Sequence, residues 1–534
     1  MRRPTRGRAL CALVAGVAAI ALLAGCTAGG TKKLPTETST PVQTPSAASS
    51  TPGAESGAGT GAASSADTAA LQRFYGQALV WSDCGGGFQC TTAKAPLDWN
   101  RPAAGAPISL ALIRKPAQGH SRGALFVNPG GPGASGVDFV RNSVGAASAK
   151  LQQNFDVIGW DPRGVGSSSA VKCYGDAGLD DFLYGIPAGP RGSSQWLAAS
   201  EKSVAALGQS CLENTGQLLG HVDTESTAHD LDMLRSDVGD TKLNYLGFSY
   251  GTMIGAIYAG MFPKNVGRMT LDGVVDPATD YNTLSELQAA GFESNLKAYV
   301  QWCLTTDKSC PFTGSVDGAM SSIGALLKKV DENPITNTDG RVLGATSFET
   351  AIILPLYSTA NWPVLDTLFK DVAAGSAKVA FYLADQYNDR SSNGHYTTNT
   401  MVAFQAIDCL DYRFESAPAQ LQAEATRLTQ VAPVIGPYFG YPGITCSGWP
   451  FAPVRTPAPV HADGAPPILI VGTTNDPATP YQDSVNLAHE LASGHLVTWN
   501  GSGHTAYGRS NSCVTNTVDD YFVAGTVPAR DPKC

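Results

Sequence analysis

Short apolar runs alternate with longer amphipathic stretches of helical period from Leu71 onward, and this alternation predicts the fold class. The runs are rich in β-branched residues, and most of them end in a cluster of Gly, Asp or Asn. Strands are predicted at 108–114, 124–128, 155–160, 243–247, 269–271 and 468–472, with a last short strand at 496–499. Strands that alternate with helices predict an α/β protein with a mostly parallel, doubly wound sheet, whose functional loops follow the carboxyl ends of the strands.

The first 26 residues have the pattern of an export signal. Four arginines precede an apolar run at 9–24, which is too short to span a bilayer comfortably. The run ends in Leu-Ala-Gly-Cys at 23–26, which resembles the bacterial lipobox. We therefore expect an exported chain tethered to the outer face of the cell membrane by a lipid on Cys26, or released from it. A plain secretory signal with a chance cysteine is the alternative.

The next segment, 27–68, consists almost entirely of Thr, Ser, Ala, Gly and Pro, a composition that cannot bury enough apolar surface to offset its ordering entropy. It is predicted to be a flexible linker. The whole chain of 534 residues is 43% hydrophobic and 15% charged, which suits a large globular core with an insertion. Its formal net charge of -9 makes nucleic acid an unfavourable partner, because phosphate binding requires a basic face.

Ten of the twelve cysteines lie beyond the export signal, an even number that predicts disulfides in an oxidising compartment. The pairs expected are Cys84–Cys90, Cys173–Cys211, Cys303–Cys310, Cys409–Cys446 and Cys513–Cys534. Only the first and third of these are close enough in sequence to close local loops, and for the other cysteines other pairings stay open. No Cys/His spacing is typical of a zinc site, and neither a metal nor an organic cofactor is expected.

Two segments match the G-x-S-x-G pattern, so the pattern alone does not identify a nucleophile. A nucleophile elbow has a strand before it and a helix after it, because the sharp turn between them exposes the hydroxyl. The match at 119–123 lies between two predicted strands, and we interpret it as a hairpin turn in which Ser121 has no catalytic role.

The second match, at 247–251, follows the strand-like run 243–246 and precedes the helix-like run 252–259. Ser249 is therefore the predicted nucleophile, with a passive serine in a Gly-rich turn as the alternative. A serine hydroxyl needs a base to take its proton and a carboxylate to orient that base.

Two later loops supply these partners in the chain order that α/β-hydrolases use, Ser, Asp, His. Asp476 follows the strand at 468–472, and His504 lies in a glycine-rich loop after the last strand. Asp483 lies inside the next helix and is a poorer acid, and His489 and His495 are interpreted as ordinary surface residues. Ser249, Asp476 and His504 are thus the predicted catalytic triad.

An oxyanion hole requires two backbone N–H donors. One is expected from Tyr250, the residue after the nucleophile. The other is expected from the glycine-rich loop at 128–133, with Gly131 the first choice and Gly130 the next. A Gly-Pro turn chosen only for its backbone is the alternative.

Together these motifs resemble the tripeptidyl-aminopeptidase-like branch of the proline iminopeptidase family. The resemblance covers nearly the whole chain from about residue 75 and rests on 128–133, 161–167, 247–252, 406–411 and the segments around Asp476 and His504. It implies an α/β-hydrolase core at 69–275 and 456–534 with a mainly helical cap at 276–455, and release of short peptides from a free N-terminus. Pro129 replaces the histidine of proline iminopeptidases, which weakens any expectation of specificity for an N-terminal proline. With the lipobox and linker, the chain looks like actinomycete lipoprotein members of this branch.

An aminopeptidase must recognise a protonated amine, and a buried carboxylate in the cap would serve this purpose. Asp408 and Asp411 are the candidates by resemblance, and Glu293 is a weaker one. Surface charges or a structural clamp beside Cys409 are the alternative roles.

Two other functions are compatible with parts of the sequence. A carboxylesterase would use the same triad beneath a cap without an amine-binding acid. A solute-binding lipoprotein would share the lipobox but would not need the triad. The oligomeric state stays open, with a monomer favoured.

Overall fold

The computed structural model describes residues 65–534. The predicted export signal with Cys26, and the predicted linker up to residue 64, lie outside the described residues. The last four residues of that linker, 65–68, belong to the first helix. Within 65–534, no helix combines the length and the apolarity needed to cross a membrane.

A nine-stranded sheet forms the centre of the molecule, in the strand order β1-β2-β3-β5-β4-β6-β7-β10-β11. The strands are β1 (Ser82–Asp83), β2 (Gln89–Ala95), β3 (Ile108–Lys115), β4 (Ala124–Asn128), β5 (Asp156–Trp160), β6 (Leu243–Phe248), β7 (Val266–Asp272), β8 (Ile335–Thr336), β9 (Val342–Leu343), β10 (Ile468–Asn475) and β11 (Gly494–Ser502). Neighbours from β5 to β11 are parallel, whereas β1, β2 and β3 form an antiparallel edge that joins β5. The predicted mostly parallel sheet is therefore confirmed, and β8 and β9 form a separate ribbon.

Helices cover both faces of the sheet and also build a separate unit between β7 and β10. They are α1 (Ser65–Phe74), α2 (Gly136–Ser143), α3 (Ala149–Asn154), α4 (Asp176–Tyr184), α5 (Ser194–Thr215), α6 (Thr224–Asp237), α7 (Tyr250–Met261), α8 (Tyr281–Thr306), α9 (Val316–Glu332), α10 (Ala345–Leu356), α11 (Trp362–Ala373), α12 (Lys378–Tyr387), α13 (Thr400–Asp411), α14 (Pro418–Val431), α15 (Gly436–Phe439), α16 (Tyr481–Glu490) and α17 (Ser512–Ala524).

Strand β4 shows why the central strands are apolar along their whole length. Its alternate residues pack into two different cores: Phe126 joins the cluster beneath α6 and α7, while Leu125 and Val127 join the cluster beneath α2, α3 and α17. Each face of the strand is covered by helices, so apolar residues are needed at every position rather than at every second one.

The first G-x-S-x-G match is not a hairpin turn, and that prediction is wrong. Strand β5 lies between β3 and β4, antiparallel to the first and parallel to the second. The connection at 119–123 therefore crosses the end of β5, and the amide of Gly119 donates to the carbonyl of Gln153 at the end of α3. Two consecutive strand-like runs predict a hairpin locally, but here a later segment inserts between them.

The cap unit, helices α8 to α15, has a hydrophobic cluster of its own, built from side chains such as Leu296, Phe348 and Phe381. All five predicted disulfides are present. They are Cys84–Cys90, Cys173–Cys211, Cys303–Cys310, Cys409–Cys446 and Cys513–Cys534. Two of them lie inside this unit: Cys303–Cys310 joins the end of α8 to the loop after it, and Cys409–Cys446 joins α13 to the segment after α15.

One acid in the cap is expected to make stability depend on pH. Glu349 on α10 is buried, its Oε1 atom has no hydrogen-bond partner among the described residues, and burial raises the pKa of its carboxyl from 4.5 to about 8. Between these pH values the folded protein holds a proton that the unfolded chain has released, so the free energy of unfolding falls as pH rises through this window. For this one group, the largest possible decrease in the free energy of unfolding is about 5 kcal/mol.

Replacing this acid should remove part of the decline. We expect the midpoint temperature of thermal unfolding to fall less between pH 5 and pH 9 in Glu349→Gln than in the unchanged protein. Glu332→Gln, at the exposed end of α9, is the control and should follow the unchanged protein. An undiminished decline in Glu349→Gln would contradict this account of the buried carboxyl.

Candidate active site

Ser249 occupies the sharp turn between β6 and α7. Its backbone has φ 55° and ψ -130°, a conformation that side-chain-bearing residues rarely adopt. Its own N–H donates to the carbonyl of Asp272 at 3.0 Å, at the end of the neighbouring strand β7. The strand–turn–helix context expected of a nucleophile elbow is therefore present at 247–251.

Glycines allow this turn to approach the backbone around it. A Cβ on Gly247 would lie 2.5 Å from the carbonyl oxygen of Gly251. A Cβ on Gly130 would lie 2.6 Å from the carbonyl oxygen of Phe248 and 2.8 Å from Cβ of Ser249. The loop after β4 thus lies directly against the nucleophile turn, and only glycine fits at the contact.

The backbone donors of that loop are not equivalent. The N–H of Gly130 donates to Oδ1 of Asn128 at 2.9 Å, so it is already engaged. The N–H groups of Gly131 and Tyr250 have no acceptor among residues 65–534. The geometry therefore favours Gly131 over Gly130 as the partner of Tyr250 in an oxyanion hole.

Asp476 and His504 lie together, although 28 residues separate them in the chain. Nδ1 of His504 is 2.9 Å from Oδ1 and 3.2 Å from Oδ2 of Asp476. The carboxylate also accepts the backbone N–H groups of Ala478, Thr479 and Thr505. These donors hold the carboxylate in place, and both side chains are buried.

The cap contributes to the position of the histidine. The N–H of His504 donates to the carbonyl of Tyr357 at the end of α10, and the Tyr357 ring meets the imidazole edge-on at 5.3 Å.

Asp483 lies on α16 with no hydrogen bond to its carboxyl oxygens among the described residues. The preference for Asp476 over Asp483 as the partner of the histidine agrees with this arrangement.

The sequence analysis missed Asp272, the last residue of β7. Its carboxylate is fully buried and accepts the N–H groups of Ala506 and Tyr507, just after His504. The available signal was weak, since a strand ending in Asp is common at this edge of the sheet.

The 161–167 motif supports the loop that carries Gly131. Oδ1 of Asp161 accepts the Ser135 hydroxyl, the N-cap of α2, and the Val137 N–H, while Oδ2 accepts the Ser167 N–H. Arg163 is fully buried and forms a bidentate ion pair with Asp230 on α6. These polar groups are structural: Asp161 fixes the start of α2, which follows the 128–133 loop, and Arg163 fixes α6.

Two of the three predicted amine-binding acids already have protein partners. Asp411 accepts the backbone N–H and the hydroxyl of Thr224 at the start of α6, and that hydroxyl also contacts the Tyr250 hydroxyl. Glu293 accepts the N–H groups of Val434 and Ile435. Burial, opposed by the Thr224 hydrogen bonds, raises the pKa of Asp411 to about 7.

Asp408 differs from both. It is buried on α13, and no hydrogen bond to its carboxylate is found within residues 65–534. Burial, and secondarily the charge of Asp411, raise the pKa of Asp408 well above its usual range. Asp408 precedes Asp411 by about one turn on α13, and Asp411 is linked through the Thr224 hydroxyl to the hydroxyl of Tyr250. Burial raises the pKa of Tyr250, Tyr281 and Tyr412, and the charge of Asp408 adds to this rise. The surface-charge interpretation of Asp408 and Asp411 is therefore wrong.

A cavity of about 1020 Å³ opens at the amino ends of β6 and β7, lined by residues such as Lys242 and Arg268. This is the edge of the sheet opposite Ser249. The candidate site is therefore defined by its side chains and not by the size of a cavity.

Two family models match this chain. One, described as alpha/beta hydrolase fold, matches residues 123–314. The other, described as TAP-like protein, matches residues 432–534.

Individual relatives extend the similarity over most of the chain. Serine protease Hip1 of Mycobacterium tuberculosis is 35% identical, covering 86% of this chain and 91% of the relative. Carboxylesterase B of the same species is 36% identical, covering 84% of this chain and 86% of the relative. Tripeptidyl aminopeptidase of Streptomyces coelicolor is 31% identical and covers 85% of each chain.

Proposed function

This chain belongs to the TAP-like family of α/β-hydrolases and is a serine hydrolase, and on that basis we propose that it is an exported exopeptidase that releases short peptides from the free N-terminus of its substrates. The proposed catalytic triad is Ser249, Asp476 and His504. The observation that carries the proposal is a buried carboxylate, Asp408, which has no hydrogen-bond partner within residues 65–534 and lies on the helix whose Asp411 is linked through Thr224 to the side chain of Tyr250, the residue after Ser249.

The reaction has two steps, and each moves a proton through His504. The imidazole takes the Ser249 proton as Oγ attacks the scissile carbonyl, then gives it to the leaving amine as the acyl-enzyme forms. Water, deprotonated by the same imidazole, then releases the N-terminal product and restores the serine. Asp476 keeps the imidazole in one tautomer and stabilises its charged form.

The N–H groups of Tyr250 and Gly131 are proposed to hold the oxyanion in both steps. Neither is engaged within residues 65–534; Tyr250 directly follows Ser249, and Gly131 follows Gly130, which lies against the Ser249 turn. A donor of this kind stabilises the transition state by about 3–4 kcal/mol.

Asp408 is the proposed receptor for the substrate ammonium. Helix α13 runs from the glycine loop toward Tyr250: a Cβ on Gly133 would lie 2.6 Å from the carbonyl of Thr400 in its first turn. Asp408 lies two turns later on the same helix, about one turn before Asp411, which is linked through the Thr224 hydroxyl to the Tyr250 hydroxyl. A carboxylate without a protein partner in such a place gains most from a cationic ligand, because an unpaired buried charge is costly.

The export proposal is supported by the cysteines. Five disulfides occur in residues 65–534, and disulfides persist in oxidising compartments outside the cytoplasm. The lipid anchor at Cys26 remains a proposal based on the sequence alone.

The amine site is tested with a tripeptide p-nitroanilide, its amine free or acetylated. We expect fast release from the free substrate and little from the acetylated one. In Asp408→Asn, KM for the free substrate should rise about 10–100-fold, the loss of one charge-assisted contact, with little change for the acetylated one. Glu293→Gln, whose partners are backbone amides, is the matched control and should leave KM unchanged.

A carboxylesterase is the second candidate, favoured by the 36% identity to a relative of that name. In that case both p-nitroanilides would be poor substrates, p-nitrophenyl esters would be hydrolysed rapidly, and Asp408→Asn would not alter KM. A solute-binding lipoprotein is not supported, since the chain is a serine hydrolase.

A further inference from the structure

Asp272 joins the two loops that carry the proposed nucleophile and the proposed base. Its backbone carbonyl accepts the Ser249 N–H at 3.0 Å. Its side-chain oxygens accept the N–H of Ala506 at 3.0 Å and that of Tyr507 at 2.7 Å. One residue thus binds the nucleophile turn through its main chain and the histidine loop through its side chain.

We propose that Asp272 is a positioning residue for the reaction, which sets the distance and orientation between Ser249 and His504 by holding both of their loops. This inference rests on the proposed triad. Within residues 65–534, no hydrogen bond joins Asp272 to the side chains of Ser249, Asp476 or His504, so its action is through the backbone segments on either side.

The neighbouring residues leave these loops little room to shift. Gly273 follows with φ 71°, and a Cβ there would lie 2.9 Å from Oγ1 of Thr479 and 3.5 Å from Cε1 of His504. The Gly273 N–H donates to the carbonyl of Val471 on β10, the strand that leads to Asp476. The end of β7 therefore contacts all three loops of the proposed triad.

A carboxylate suits this position because two N–H groups converge on it. The Ala506 N–H lies 3.0 Å from both oxygens, and Oδ2 also accepts from Tyr507. An asparagine would keep the shape but place an NH₂ group against one of these donors. The histidine loop would then move away from the Ser249 turn, and a displacement of about 1 Å can lower a rate by about 100-fold.

Another buried acid contacts the same loop from a different element and serves as the structural comparison. Asp519 on α17 is also buried, and it accepts the Tyr507 hydroxyl at 2.6 Å and the Ser148 hydroxyl at 2.8 Å. It touches the side chain of Tyr507 but not the loop amides or the Ser249 turn. Asp519→Asn therefore removes a comparable polar contact without changing the link between the two loops.

The experiment compares Asp272→Asn and Asp519→Asn with the unchanged full-length protein. We measure kcat and KM on p-nitrophenyl acetate, the rate of labelling by a fluorophosphonate, and the folded fraction by near-UV circular dichroism. For Asp272→Asn we expect kcat and the labelling rate, per folded molecule, to fall about 10–100-fold with KM within twofold. Asp519→Asn should keep both rates within about threefold, whatever its stability.

Failure of the positioning role and failure of the proposed triad would give different results. The positioning role would be overturned if Asp272→Asn, per folded molecule, kept its rates within threefold of those of the unchanged protein. Equal losses in the two variants would overturn it as well. If Asp272→Asn does not fold, Asp272→Glu, which keeps the charge but displaces the oxygens, takes its place with the same expectation. Failure of the unchanged protein to react with the fluorophosphonate would instead refute the triad on which the inference rests.

Discussion

Replacing Ser249 with alanine is expected to lower turnover by about four to six orders of magnitude, since triad residues act as a unit and the hydroxyl is the atom that attacks. Peptide and ester substrates should be affected alike. The measurement is the initial rate on both substrates, with fluorophosphonate labelling of the same samples, in which Ser249→Ala should stay unlabelled.

The chain provides its own control for this result. Ser121 lies in the other G-x-S-x-G match, and within residues 65–534 its hydroxyl forms hydrogen bonds only with the backbone of Gly123. Ser121→Ala should keep full activity and full labelling. Normal turnover in Ser249→Ala, or a comparable loss in Ser121→Ala, would refute the assignment of the nucleophile.

The second large effect is expected from Asp476→Asn, which should lower kcat by about four orders of magnitude. An asparagine amide at the Oδ1 position would face Nδ1 of His504 with a donor in place of an acceptor. The imidazole would then adopt the tautomer whose Nε2 carries a proton and is unable to accept one from serine. The measurement is kcat at saturating substrate, with KM expected to change little.

Asp483→Asn is the matched control. Burial, with repulsion from Asp276 and Asp476, raises the pKa of Asp483 to about 8, so this carboxyl is mostly neutral at pH 7 and asparagine imitates it. We expect activity within a few-fold of the unchanged protein. If Asp483→Asn were the inactive variant and Asp476→Asn the active one, the acid of the triad would be Asp483.

The order of the proposed catalytic residues was readable from the chain because each follows a strand-like run. Strands β6 and β10 are buried along most of their length, so their hydrophobic runs are continuous and their ends can be located, whereas β11, at the edge of the sheet, is buried only at Val497 and Thr498 and has a shorter apolar run. Parallel strands bring their carboxyl ends to one edge, and Ser249, Asp476 and His504 follow three of those ends. All five expected disulfide pairs are present, although only Cys84–Cys90 and Cys303–Cys310 were indicated by a short separation in the sequence.

The pairing of strands was not predictable in the same way. A local turn signal at 119–123 favoured a hairpin, but β5 lies between β3 and β4 and pairs with both of them. That choice depends on hydrogen bonds between segments more than 30 residues apart, which a periodic pattern does not record.

The roles of the buried acids depended on their surroundings in three dimensions. The family resemblance made Asp408 and Asp411 the candidates and Glu293 a weaker one, yet Thr224 engages Asp411, two backbone amides engage Glu293, and Asp408 is left without a partner in the described part of the chain. Asp272 had no distinguishing pattern at all. The apolar period and the turn residues are local properties, so they specify elements and the residues at their ends. The free energy of a buried carboxyl is set by donors and charges from distant segments, and only the folded chain brings these together.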